Sequence, residues 1–151
     1  MLNKRTKYGI HALLVLARAR DEGPLPASVI AQRAHVPVKF LEAILVDLRH
    51  AGITATVKGR GGGHQLSRRP EAIEMTELLR LFNGAIALVP CVSLKFYERC
   101  EECADEATCA VRDVFLAVRI ATVDMLKAAT LADLLKREER LSKGRRRVTK
   151  K

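Results

Sequence analysis

Apolar residues near the start of the chain recur every three or four positions, the spacing that places them on one face of a helix. The pattern predicts a first helix over about 6–20, a short second helix over 27–34, and a third that starts at Pro37 and closes at Gly52. Proline suits the first turn of a helix, and glycine adopts the left-handed backbone that ends one. Two helices joined by a short turn are typical of a helix-turn-helix.

The next stretch predicts a β-hairpin with a basic, glycine-rich tip. Residues 53–57 alternate small polar and apolar side chains, as strands do, and 58–63 read Lys-Gly-Arg-Gly-Gly-Gly. A hairpin that follows a helix-turn-helix is typical of a winged DNA-binding module, in which glycines let the backbone approach phosphates. The alternatives are a flexible loop and a nucleotide phosphate loop, but the pattern Gly-x-x-x-x-Gly-Lys-Ser/Thr does not occur here.

The second half contains a short helix, an irregular segment and a long helix. The short helix is expected over 73–82, with Thr76 and Glu77 exposed, and the irregular segment over 85–108. The long helix, about 109–129, carries an apolar stripe at Val111, Val114, Phe115, Val118, Ala121, Thr122, Met125 and Ala129. A single small domain has little left to cover five turns of such a stripe, so we expect it to pair with a second copy. The alternative is that the first helix and residues 73–82 of the same chain cover the stripe.

The chain is expected to end in a short helix over 131–135, capped by Thr130, and a basic tail over 136–151. The tail is rich in charge and poor in apolar residues, so we expect it to be disordered. It either aids solubility or contacts nucleic acid without sequence preference.

Composition is that of a soluble globular protein: 151 residues, of which 48% are hydrophobic and 29% charged. The apolar runs are too short to span a bilayer. The basic start followed by an apolar run resembles a signal peptide, but the run 12–17 is short and Arg18 lies inside the would-be cleavage site, so we expect a cytoplasmic protein with no membrane partner. The net charge is +10, and the basic residues concentrate in 1–70 and 136–151 while 71–135 is acidic. This asymmetry indicates a module that binds a polyanion.

The order of these motifs resembles the Rrf2 family of bacterial winged-helix regulators, whose members include sensors of iron–sulfur status and of nitric oxide. The resemblance covers about 1–135. It rests on Val-Pro-Val-Lys-Phe-Leu-Glu at 36–42, Leu-Arg-His-Ala-Gly-Ile at 48–53, Val-Lys-Gly-Arg-Gly-Gly-Gly-His-Gln-Leu at 57–66, the cysteines and the long helix. The family usually carries Arg in place of Lys58 and Pro in place of Arg60.

The resemblance implies a mainly α fold with a small hairpin wing and a long dimerisation helix. It divides the chain into a winged helix-turn-helix domain (1–84), a cysteine-containing sensor loop (85–108), the dimerisation helix with its short successor (109–135), and the basic tail (136–151). A homodimer would read a palindromic operator in double-stranded DNA. By position and exposure on the predicted helix and wing, the DNA-binding residues are Pro37, Val38, Lys39, Phe40, Glu42, Arg49, Lys58, Arg60, Gly61 and Gly62.

Four cysteines, Cys91, Cys100, Cys103 and Cys109, are the candidate metal ligands. Thiolates favour soft metals, and four suffice for a zinc site or for a 2Fe–2S or 4Fe–4S iron–sulfur cluster. Cluster-binding relatives show three cysteines with five residues in each gap, a spacing that only the last gap here matches. Thiol or disulfide sensing, zinc, and no ligand at all are the alternatives. The surrounding carboxylates are expected to raise the thiol pKa values.

The function predicted is therefore transcriptional regulation without catalysis, with sensing of redox, iron–sulfur or nitrosative status through the cysteines. Cluster state or thiol oxidation would order 91–109 and so shift the dimer helix. One alternative is a thiol/disulfide oxidoreductase using Cys100 and Cys103, although no surrounding β-α-β pattern is found. The other is an architectural protein that binds DNA through its charge alone.

Overall fold

The computed structural model describes residues 2–148, a mainly helical fold with one antiparallel hairpin, as predicted. Within that range the elements are α1 (Lys4–Arg18), α2 (Ala27–Ala34), α3 (Val38–His50), β1 (Thr54–Val57), β2 (Gly63–Leu66), α4 (Met75–Phe82), α5 (Ala110–Lys127) and α6 (Leu131–Val148). Short 3-10 turns lie at Arg20–Glu22, Pro70–Ala72 and Pro90–Val92. None of the described helices combines the length and the apolarity that a membrane span needs.

The core is built around α1, which contacts α2, α3, α4 and α6. Six consecutive residues of α1, from Ala12 to Ala17, are buried. The apolar face predicted for α3 is confirmed, because Leu41, Ile44, Leu45 and Leu48 are all buried against this core. Burial of one such side chain contributes about 1.5–3 kcal/mol. The face of α3 opposite to the core is thereby left to solvent.

The first helix begins two residues earlier than predicted because Asn3 caps it. The Asn3 Oδ1 atom accepts from the backbone N–H of Thr6 at 2.7 Å, which satisfies a donor that the helix leaves unpaired. Asn3 also donates through its side chain to the carbonyl of Phe82 at 2.8 Å. The start of α1 is therefore joined to the end of α4.

The hairpin is fixed to the loop that precedes α2. Strands β1 and β2 pair from Thr54 with Leu66 to Val57 with Gly63. Beyond this ladder, the N–H of Leu25 donates to the carbonyl of His64 at 2.9 Å, and the N–H of His64 donates to the carbonyl of Leu25 at 2.8 Å. These two bonds set the direction in which the hairpin leaves the core.

Replacing Gly63 with alanine should detach the hairpin from that loop. A Cβ atom at Gly63 would lie 2.3 Å from the carbonyl carbon and oxygen of Leu25 and 2.8 Å from the Pro26 nitrogen, so backbone has to move. We expect G63A to lower the free energy of unfolding by about 2–4 kcal/mol, measured by urea titration. The control is G144A in α6, where a Cβ meets nothing within 4 Å and should be neutral or stabilising. Equal loss in both variants would contradict this role of Gly63.

The prediction that Thr76 is exposed was wrong. Thr76 is 1% exposed, and its hydroxyl donates to a carboxylate oxygen of Glu74 at 2.8 Å. The hydroxyl is satisfied locally, so the methyl group can lie inside the core without an unpaired polar atom. Glu77, on the next position, accepts from Arg68 at 2.7 Å and is half-buried.

The last helix was predicted too short, and its polar extension was wrongly expected to be disordered. Helix α6 continues through 136–148, and residues 149–151 lie outside the described part of the chain. The extension is free of proline and rich in residues of high helix propensity, and Glu139 lies four residues before Lys143 in the favourable orientation. Glu138 forms an ion pair with Arg18, which places the extension beside the end of α1.

The start of α6 belongs to the main core. Thr130 and Asp133 cap it reciprocally, because the Thr130 N–H donates to the Asp133 carboxylate at 3.0 Å and the Asp133 N–H donates to the Thr130 hydroxyl at 3.2 Å. The N–H of Leu131 donates to the carbonyl of Ile73 at 2.9 Å, and both side chains are fully buried. The chain thus returns from α5 to the core of the N-terminal half.

Candidate nucleic-acid interface and cysteine pocket

The outer face of α3 presents the predicted recognition residues to solvent. A left-handed residue, His35 (φ 53°), turns the chain from α2 into α3, and Pro37 occupies the N-cap position. Val38, Lys39, Phe40, Glu42 and Arg49 are all exposed. Phe40 is 61% exposed, a high value for a large apolar side chain that no core requirement explains. The start of α3 is an accessible helix end, as in helix-turn-helix modules that place this end in a major groove.

The tip of the hairpin presents Lys58 and Arg60. Gly59 (φ 100°) and Gly61 (φ 81°) have left-handed backbones, and the N–H of Gly62 donates to the Gly59 carbonyl at 2.9 Å. A Cβ on Gly62 would lie 2.3 Å from the carbonyl oxygen of Val57, so this turn requires glycine. Both cations are exposed, and neither pairs with a carboxylate of residues 2–148.

The positive charge of Arg49 in α3 acts on His64 in the hairpin. The pKa of His64 on β2 is lowered, first by partial burial and then by the positive charge of Arg49. Helix α3 contacts strand β1 directly. Helix α3 and the hairpin therefore form one cationic surface.

The basic start of α1 joins the same surface, which the sequence interpretation missed. The ring of Tyr8 lies 6.5 Å from that of Phe40 between centroids, and Lys4, Arg5, Tyr8 and Phe40 line one cleft. Arg5 also forms an ion pair with Asp47 of α3. The signal in the sequence is the run of basic residues Lys4, Arg5 and Lys7 at the start of the first helix.

All four cysteines line one cavity of about 510 Å³ between the irregular segment and the start of α5. Its other lining residues include Glu98, Arg99, Glu101, Glu102, Glu106 and Arg112. Arg99 donates to the backbone carbonyls of Cys103 at 3.2 Å and Ala104 at 3.1 Å, which holds the loop around the cavity. Cys109 is the N-cap of α5, and its sulfur accepts from the Arg112 N–H at 3.4 Å. We call this cavity the cysteine pocket.

The apolar stripe of α5 is uncovered. Val123 is the one buried residue of this helix, whereas Val114 is 57% and Met125 is 75% exposed. The alternative was that the first helix and residues 73–82 of the same chain cover the stripe. Helix α4 does contact α5, so this alternative holds only in part. An exposed apolar strip of several turns on a small protein marks an interaction surface.

Comparison with known proteins agrees with the DNA-binding role that the exposed face of α3 and the basic hairpin suggest. The model of the Rrf2 family, described as an iron-dependent transcriptional regulator, matches residues 2–137. An rrf2-like HTH-type transcriptional regulator of Rhodobacter capsulatus is 41% identical over 138 residues, covering 89% of this chain and 92% of the relative. The chain belongs to the Rrf2 family.

Two solved structures of similar length share the fold. CymR, the global cysteine regulator of B. subtilis, superposes with a TM-score of 0.74 at 28% identity and covers 90% of this chain and 96% of its own. IscR of T. potens gives 0.73 at 26% identity, covering 93% and 90%. The chain is therefore a DNA-binding helix-turn-helix transcriptional regulator and not an enzyme. The thiol/disulfide oxidoreductase alternative is set aside.

The thiols of the cysteine pocket differ in their acidity. A hydrogen bond from the Cys100 thiol to Glu102, at 2.9 Å, is the main cause that raises the pKa of Cys100. Partial desolvation and a hydrogen bond to Cys109 raise the pKa of Cys103. At Cys109 the expectation of a raised pKa was wrong. The backbone N–H of Arg112 stabilises the thiolate at the helix N-terminus and lowers the pKa of Cys109.

The pocket does not present a ready ligand set. Among residues 2–148, no three side chains of His, Cys, Asp or Glu converge as the ligands of one ion. The Cys100 thiol donates to Glu102. Four thiols are enough in number for a cluster, but this arrangement fits neither a zinc ion nor a cluster without rearrangement of the loop. All four cysteines are free thiols.

Cys109 should therefore react with an alkylating agent faster than Cys100 and Cys103 do. The thiolate is the reactive form, and a lowered pKa increases its fraction near pH 7. We expect iodoacetamide to modify Cys109 several-fold faster at pH 7, followed by peptide mass spectrometry over time. The difference should shrink as the pH rises and the other thiols ionise. Faster labelling of Cys100 at pH 7 would contradict the assignment.

Proposed function

We propose that this Rrf2-family regulator is a homodimer that binds a palindromic operator, with an operator affinity set by the oxidation state of its cysteine pocket. The observation that carries the proposal is the position of the pocket. Cys109 caps the helix whose apolar stripe is uncovered, so chemistry at the pocket acts on the start of the proposed dimer contact.

The occupant that we propose for the stripe is the same stripe of a second copy. Val111, Val114, Val118 and Met125 follow the helix axis on one side, and a two-fold axis would bring the same stripe of both copies together, so that each contact between two residues occurs twice. Leu88, Leu94 and Phe96 of the preceding segment are exposed as well and would extend this contact. Mutual burial removes both sets of apolar surface from water at about 25 cal/mol per Å².

Two copies would present two α3 helices and two wings to one duplex. A symmetric dimer reads a symmetric site, with half-sites about one helical turn or a multiple of it apart. Glu42 can accept from the amino group of cytosine in the major groove. Lys58 and Arg60 would contact phosphates or reach into the minor groove, and the cations at the start of α1 would contact the backbone beside α3.

An iron–sulfur cluster is the other candidate for the sensing chemistry, because the family model is described as iron-dependent and IscR is among the structural neighbours. The pocket as described gathers no three of its thiols as ligands, so we derive no step through a cluster. Protein purified without oxygen decides between the two. Colourless protein free of iron supports thiol sensing, whereas brown, iron-containing protein overturns this part of the proposal.

Sedimentation and site selection test the rest. We expect the reduced protein to sediment as a dimer and to enrich one palindrome from a random-sequence duplex library at fixed salt. A monomer, alone and on DNA, would contradict the proposed assembly. Equal affinity for the selected and random duplexes at 0.15 M salt would instead favour the architectural, charge-driven alternative.

A further inference from the structure

We propose that the outer half of α6 is a further DNA-contacting surface, which binds phosphates that flank the operator. We call residues 139–148 of this helix the C-terminal arm. The inference rests on the function proposed above for the existence of an operator. The contact itself is made to phosphates and therefore requires no particular base sequence.

The C-terminal arm projects beyond the body of the protein. Helix α6 contacts α1 and the turn Pro70–Ala72, and its ion pair with Arg18 is made by Glu138, just before the arm. Within the arm, Leu141 is 68% exposed, and a Cβ on Gly144 would meet no atom within 4 Å. Helix rises about 1.5 Å per residue, so the arm has a reach of about 15 Å.

Charge is divided between two sides of this helix. On the side of α1, Glu138 and Glu139 line a cavity together with Arg18. Successive residues are about 100° apart, which places Arg140 opposite that cavity and Lys143 about 60° around the helix from Arg140. Both cations are exposed, and no ion pair joins either of them to a carboxylate in the described part of the chain. The acids are thus directed at the protein and the cations at solvent.

A phosphate backbone is the partner that this surface fits. Residues 136–151 contain nine basic and two acidic side chains, and three arginines follow Gly144 in the sequence. An acidic protein surface is the other polyanion with matching charge. DNA is favoured because the net charge is +10 and the same chain already presents its exposed wing cations to a duplex.

The arm leaves the body on the side of the wing. Helix α1 starts beside α3, where the ring of Tyr8 lies 6.5 Å from that of Phe40, and it ends at Arg18 beside the arm. Seven residues after Arg18 the chain reaches Leu25, whose backbone bonds to His64 hold the hairpin. The phosphates within reach are therefore those beyond the wing. A reach of about 15 Å spans about four base pairs at 3.4 Å each.

Duplex length tests this contact. The selected palindrome is presented either bare or with about five random base pairs added at each end, and fluorescence anisotropy measures Kd at 0.15 M salt. We expect the parent to gain about tenfold in affinity from the flanks. R140Q/K143Q should lose most of this gain and bind the bare palindrome as the parent does. On the longer duplex, the slope of log K against log salt should decrease in magnitude by up to about 3.6, because a dimer loses four phosphate contacts.

The matched control is R80Q/K127Q, which removes as many exposed charges from α4 and from the end of α5. It should keep the gain of the parent. Glutamine is a good helix former, so circular dichroism should show the arm retained in R140Q/K143Q. Equal gains in the parent and in R140Q/K143Q overturn the proposal. An equal loss in the control, or the same loss on both duplexes, overturns it as well, because either indicates an effect of net charge.

Failure of the proposed operator is recognised separately. If no palindrome is enriched, the proposed function fails, whereas the same comparison on random duplexes of two lengths still tests the arm, because phosphate contacts are independent of sequence. Hydroxyl-radical footprinting on the longer duplex locates the contact. We expect the parent to protect about four base pairs beyond each end of the palindrome. Protection that persists in R140Q/K143Q would contradict the assignment to the arm.

Discussion

Replacing Val118 with glutamate in α5 should convert the regulator into a folded monomer that binds its operator much more weakly. Val118 lies in the middle of the apolar stripe and is exposed in the single chain, so its substitution leaves the protomer core intact. A carboxylate buried in the proposed dimer contact has no partner and opposes pairing. Without the dimer, the second half-site no longer binds intramolecularly, which costs about 10²- to 10⁴-fold in affinity.

Sedimentation velocity and fluorescence anisotropy on the selected duplex measure this outcome. The matched control is A117E, which introduces the same carboxylate at an exposed position about 100° around the helix from Val118. Circular dichroism should show both variants as helical as the parent. A V118E protein that remains dimeric at the parent's concentration would place the interface elsewhere.

Removing both cations of the wing should abolish most of the operator affinity at physiological salt. In a dimer, the double variant K58A/R60A removes four positive charges that the described structure leaves exposed and unpaired. Each phosphate contact contributes a slope of about −0.9 in a plot of log K against log salt, so the slope should decrease in magnitude by up to about 3.6. We expect a loss on the order of a hundredfold at 0.15 M salt.

The salt titration also shows whether the wing contacts phosphates alone or bases as well. If both cations contact phosphates alone, selected and random duplexes should weaken by the same factor. A larger loss on the selected duplex would assign base readout to Arg60, whose planar guanidinium can enter a narrow minor groove. The control R20A/K127A removes as many charges, in the 3-10 turn that follows α1 and at the end of α5. An equal loss in that control would indicate binding through net charge.

The elements that the sequence predicted well are those that local physics determines. Periodic apolar residues define the buried face of α3, and the glycine run admits a tight cationic turn without reference to the rest of the chain. The surface that α3 and the wing share was likewise implied by their order along the chain.

What the sequence did not predict depends on tertiary contacts. Composition alone favoured disorder after Leu135, whereas high helix propensity and an ion pair between Glu138 and Arg18 extend α6. Thr76 is buried because Glu74 satisfies its hydroxyl, a contact that periodicity does not reveal. The pKa of Cys109 is lowered by the backbone N–H of Arg112 in the helix that begins after it, whereas counting nearby carboxylates predicted the reverse shift.

The return of α6 to the main core has a practical consequence for dissecting the molecule. Leu131 is fully buried among residues of α1 and α4, and its N–H is bonded to Ile73. A fragment truncated after residue 84 would expose that site and forfeit about 1.5–3 kcal/mol from this one side chain. The DNA-reading half is therefore not an excisable unit, and a minimal fragment has to retain the first turns of the final helix.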